Sequence, residues 1–85
     1  MTSKWFTITV TVDDINSGCR ANASACPIAR AARRALRRRT LEVTKRAILL
    51  RVGTVSLPSS AQTFVRNFDA GKQVRPFSFD VVVAT

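Results

Sequence analysis

Six of the ten residues from Arg30 to Arg39 are arginines, and their spacing is more informative than their number. Wound at about 3.6 residues per turn, Arg30, Arg33, Arg34, Arg37 and Arg38 fall on one half of a helix. Ile28, Ala29, Ala32, Ala35 and Leu36 fall on the other, and Arg39 lies outside the stripe at the helix end. One side can pack on a core while the other projects guanidinium groups, which are permanently charged and suited to bidentate pairing with phosphate or carboxylate. Mutual repulsion along the stripe weakens such a helix at low ionic strength, and a bound anion relieves it. Arg20, Lys45, Arg46 and Arg51 are close enough in sequence to extend the patch. If all five stripe arginines met phosphates on duplex DNA, log K would fall with log salt with a slope of about −4 to −5. Alanine and arginine alone do not imply sequence-specific readout.

Other site chemistries find little support. The chain has no histidine, so histidine acid–base catalysis is excluded. Cys19 and Cys26 are too few for a structural zinc site, which takes four ligands. A disulfide between them is conceivable, and a reduced pair is the favoured expectation, with Cys26 partly buried. Cys26 precedes a helix start, a position that lowers thiol pKa, yet it has no basic partner to make it a nucleophile. Asp13 and Asp14 are adjacent, and in a turn one of them is expected to cap a backbone N–H. Gly18, Gly53 and Gly71 are too dispersed to cradle a phosphate. The expectation is a binding protein with no enzyme activity, no cofactor and no metal.

The elements that must position the arginines follow from periodicity. The 85 residues make a single domain, residues 1–85, burying roughly 60% of its unfolded surface. The formal net charge of +9 implies an anionic partner. Lys4 to Val12 alternates, with Trp5, Thr7, Thr9 and Thr11 on one side and Phe6, Ile8, Val10 and Val12 on the other, as in a half-buried strand. Residues 13–18 suit a single helical turn, and a loop follows. Pro27 suits a first helical position, opening the arginine helix over residues 27–38. Two pairings remain open in 41–57: a strand at 41–45 with a hairpin at Val52 and Gly53, or one bent strand over 41–51. Ser59 and Gln62 have the spacing of a capping box. Ala61, Phe64, Val65 and Phe68 form a buried helical stripe, closed by Gly71. Phe77, Phe79, Val81 and Val83 mark a last strand with Pro76 near its start.

The resulting order of strand, helix, strand, strand, helix, strand predicts an α+β fold. It would be an antiparallel sheet with two helices on one face, a ferredoxin-like split βαβ being one such arrangement. Trp5 would sit on the open face as a stacking platform, although a core position is favoured for it. No run of about 18 apolar residues marks a membrane span, and no export pattern is visible at the N-terminus.

Several fragments, taken in order, resemble a group of small tailed-phage accessory proteins of unsettled function. They are Ile8, Thr9 and Val10 followed by Asp14, Ile15 and Gly18; Cys26, Pro27, Ile28 and Ala29 opening the helix; Leu57 and Pro58 before a helix; and Phe68, Asp69, Ala70 and Gly71 leading to Val74, Arg75, Pro76, Phe77, Ser78 and Phe79. The group is usually less arginine-rich than this chain. The resemblance therefore implies a context, an accessory protein made in the bacterial cytoplasm and acting by binding. Three roles are expected from the charge and this context together. The first is engagement of nucleic acid or a nucleoprotein complex through Arg30, Arg33, Arg34, Arg37 and Arg38. The second is inhibition of a host or anti-phage defence protein by docking on its acidic surface. The third is a virion or homo-oligomeric structural role.

Overall fold

Pairing of strands from opposite ends of the sequence organises the molecule. The computed structural model describes residues 3–20, 22–51 and 53–84. Strand β1 (Ser3–Val10) runs antiparallel to β5 (Phe77–Ala84), with Ile8 opposite Phe79 and Val10 opposite Phe77. Between them come helices α1 (Val12–Ser17) and α2 (Pro27–Leu36), strands β2 (Glu42–Val43), β3 (Ala47–Leu50) and β4 (Gly53–Ser56), and helix α3 (Ser59–Asp69). The fold is α+β with five antiparallel strands and three helices among the described residues. The strands form two hydrogen-bonded groups, β1–β5 and β2–β3–β4. These meet where β4 and β5 run side by side.

Strand β1 stops two residues earlier than alternation predicts. Thr11 leaves the strand to cap α1: its Oγ1 accepts the Asp14 N–H (3.2 Å), and its own N–H donates to Asp14 Oδ2 (2.9 Å). This reciprocal box satisfies two donors that a helix start otherwise leaves unpaired. Val12, expected on the buried side of a strand, is instead exposed on the helix. At residues 41–57 the chain forms two hairpins: β2 lies within the strand expected at 41–45 and β3 turns back into β4 next to Gly53, so the first expected pairing holds and a single bent strand over 41–51 does not. Thr44 turns the first: its Oγ1 accepts the N–H groups of Arg46 and Ala47. The second closes with Leu50 opposite Gly53, and Val52 of the expected turn lies outside the described residues. The box expected at Ser59 does not form, because Ser59 is already helical and Pro58 precedes it as the cap. Gln62 Nε2 donates instead to the Leu57 carbonyl (2.9 Å). Gly71 takes the left-handed conformation expected after a helix (φ 79°).

One continuous core lies under both longer helices. Ile8 and Val10 are fully buried against Ile28, Ala29 and Ala32 of α2, where small side chains admit close approach to β1. Ala31 is buried as well, widening the packed flank of α2 beyond the predicted stripe. Helix α3 adds Ala61, Phe64, Val65 and Phe68. Phe64 stacks on Phe77 at 4.9 Å between ring centroids, and Phe77 on Phe79 at 5.3 Å. The opposite face of the strands carries Trp5, Thr7, Thr9, Ser78, Asp80 and Val82, all exposed. Trp5 is therefore not a core residue. It is 70% exposed, because both longer helices cover the other face. No helix among the described residues is long and apolar enough to cross a membrane.

The end of α1 is pressed onto the start of α2. A Cβ at Gly18 would stand 2.6 Å from Pro27 Cδ and 2.8 Å from the Asp14 carbonyl oxygen. Gly18→Ala is accordingly expected to destabilise the fold by about 1–3 kcal/mol through overpacking, read as a lowered urea midpoint with an unchanged denaturant slope.

Candidate anion-binding site

The arginines of α2 fall into two sets that a helical projection does not separate. Asp14, at the start of α1, is only 1% exposed, and a charge so placed needs compensation. Arg34 supplies it in a fork: Nη1 donates to Oδ1 (3.1 Å) and Nη2 to Oδ2 (2.8 Å). The same Nη2 donates to the Thr9 carbonyl at the end of β1 (2.9 Å). Arg30 approaches from the next turn, its Nε 3.6 Å from Asp14 Oδ1. Burial alone would push the Asp14 carboxyl up, but hydrogen bonds from Arg34 and Thr11 outweigh it and hold the group at about 2. Arg33 Nη1 donates to the Ser24 carbonyl in the preceding loop. Arg30, Arg33 and Arg34 thus have internal partners, and two of them serve to clasp α1, α2 and β1 together.

The second set lies where α2 ends. The helix stops at Leu36, short of the predicted Arg38, because Arg37 adopts the left-handed conformation (φ 53°, ψ 43°). The N–H of Arg38 reaches back to the Arg33 carbonyl (3.1 Å), closing the helix without a glycine. Arg38 therefore leaves the helical stripe, and Arg39 joins the site. Arg37, Arg38 and Arg39 are exposed, and among the described residues their side chains make no hydrogen bond or ion pair. Arg38 and Arg39 line an open concavity of about 390 Å³ with the outer parts of Arg30, Arg33 and Arg34. Half of the Arg34 side chain remains accessible there. A polyanion in this concavity would meet up to five guanidinium groups, three of them already engaged internally.

Arg37 and the other predicted cations do not line this concavity. Arg20 sits against Gly71 in a hollow between α1 and the end of α3, beside Lys72. Lys45 lines a cavity of about 360 Å³ with Asn22, Cys26, Val43 and Asp69. Arg46 accepts the Leu57 N–H through its carbonyl (2.9 Å), and Arg51 is exposed at the β3–β4 turn. None of these four residues lines the arginine concavity. Arg39 was missed because it falls outside the helical stripe. The role of Asp14 had a local signal in the Thr11-to-Asp14 spacing, but its pairing with Arg34 had none.

Both cysteines are free thiols. Cys26 caps α2, its Sγ accepting the Ala29 N–H (3.3 Å). Burial pushes this thiol up, against the downward pull of the Ala29 and Ile28 N–H groups. The lowering expected at a helix N-terminus is thus outweighed, and the sulfur stays protonated at neutral pH. Comparison with protein-family models, curated proteins and solved structures finds no match for this chain.

Proposed function

We propose that this chain is a non-enzymatic accessory protein of phage type. It engages the phosphate backbone of nucleic acid, free or within a nucleoprotein complex, in the bacterial cytoplasm. The supporting observation is the convergence of Arg30, Arg33, Arg34, Arg38 and Arg39 on one concavity, with the exposed side chains of Arg37, Arg38 and Arg39 making no hydrogen bond or ion pair among the described residues. The site lies at the C-terminal end of α2, the negative end of the helix dipole, which favours the arginines but gives an incoming anion no help. Attraction must come from the side chains alone, and it is therefore sensitive to screening.

Titration of labelled duplex and single-stranded oligonucleotides from about 50 to 200 mM salt tests this. The three guanidinium groups at the end of α2 without partners among the described residues, Arg38 and Arg39 in the concavity and Arg37 next to them in sequence, predict a slope of log K against log salt of about −3, shallower than five would give. An affinity that barely changes over that range overturns the reading. So does a lysate partner that is protein alone and stays bound at fixed ratio after nuclease digestion, which would favour docking on an acidic host or defence protein.

A further inference from the structure

The face of the strands away from the helices carries an ordered pattern unrelated to the arginine concavity. Trp5 stands opposite Val82. Val82 lies beside Thr54 across the β4–β5 seam, where both line the same two cavities. Thr54 stands opposite Leu49, and Leu49 opposite Glu42. Two aligned sets, Trp5 with Val82 and Thr54 with Leu49 and Glu42, thus meet at the seam between the two strand groups and together run along one exposed face as a row in two parts. Three of the four exposed large apolar side chains among the described residues, Trp5 (70%), Val82 (39%) and Leu49 (38%), belong to it. The next row holds Thr7, Asp80, Ser56 and Ala47. Neither row contains a lysine or arginine, although the chain has 14 of them against 5 acidic residues. This is a surface on which two strongly basic molecules can meet without burying cation against cation.

We infer that this face is the interface of a homodimer, formed by a second copy of the chain packed sheet to sheet. The row itself selects the symmetry. A two-fold axis parallel to the strands and passing over β4, the middle strand, reverses the row on its partner. Thr54 then meets Thr54, Val82 meets Leu49, and each Trp5 lies over the partner's Glu42. The indole N–H, which can only donate, faces a carboxylate that has no ion pair among the described residues. A two-fold axis along the row would instead oppose Glu42 to Glu42. Strand spacings give roughly 400 Å² of flat area per copy. Two such faces lose accessible area on the order of 1,000 Å², near the lower bound for specific association. An interface of this size belongs to the range of transient complexes. It leaves both arginine concavities on the outside.

Sedimentation velocity on nuclease-treated protein over a concentration series decides this. Trp5 is the sole tryptophan, so its emission reports on the interface in the same samples. A monomer–dimer equilibrium is expected, with the emission shifting to the blue as dimer accumulates. Val82→Lys and Leu49→Asp should each weaken association by more than tenfold while leaving the circular dichroism melt unchanged, since both side chains are surface-exposed. Glu42→Gln, which keeps an acceptor for the indole, should dimerise more nearly as the parent does than Glu42→Lys. A monomer throughout the series, or a dimer indifferent to both Val82→Lys and Leu49→Asp, overturns the inference.

Discussion

Arg34→Ala is expected to cost about 3–5 kcal/mol at neutral pH, because it strands a buried carboxylate. Asp14 is 1% exposed and takes two of its hydrogen bonds from Arg34. Arg30, at 3.6 Å, makes no comparable fork. Arg33→Ala is the control: it removes a donor to an exposed carbonyl and should cost about 1 kcal/mol or less. The pH dependence separates the two causes. With Asp14 held at about 2, against an ordinary value near 3.9, the parent protein gains about 2 kcal/mol from this group. That contribution is complete above about pH 4 and disappears as pH falls from about 4 to 2. In Arg34→Ala, burial without the fork raises the carboxyl, so the protonated form is favoured in the fold. The variant then suffers its penalty as pH rises through about 4, and the gap from the parent narrows on acidification. Urea unfolding at pH 3 and pH 7 measures this, and an equal gap at both would remove Asp14 as the cause.

Combined replacement of Arg37, Arg38 and Arg39 by alanine should nearly abolish nucleic-acid binding while leaving stability almost intact. These side chains are exposed and have no internal partner among the described residues, so folding loses no contact. Each phosphate contact contributes about 0.9 to the salt slope, and the triple variant should flatten it by about 3. At about 50 mM salt that corresponds to an affinity loss on the order of a thousandfold. Titration of parent and variant with the same oligonucleotide, beside matched thermal melts, gives the comparison. Retained affinity and slope would place the interaction elsewhere on the surface.

How far these features were legible depends on the range of the interactions behind them. Helix α2 was readable because its apolar spacing and Pro27 are local signals, and the inner faces of β1, α3 and β5 followed from simple periods. The division of the arginines was not readable. Arg34 meets Asp14 only because a loop of small and polar residues folds α1 against α2, and a helical projection treats an internal clasp and a solvated tip alike. The end of α2 was misplaced for a different reason: Arg37 adopts a backbone conformation usually signalled by glycine. Trp5 illustrates competition between two cues. Strand alternation put it on the open side and its apolar bulk argued for the core, and the pleat prevailed because both longer helices occupy the other face. Val12 shows the reverse, since the Thr11 cap ended the alternation on which its expected position relied.

The β1–β5 ladder joins the first described strand to the last, with Ser3 opposite Ala84, and this sets an order on synthesis. While β5 is still inside the ribosome, β1 has emerged with neither edge laddered, and the Phe77 and Phe79 rings that cap Ile8 and Val10 are not yet available. The nascent chain can form α2, both hairpins and α3 early, yet it must hold an apolar strand unpaired until residues 77–84 emerge. Such late long-range closure slows folding and leaves β1 waiting for its partner until the last described strand has emerged.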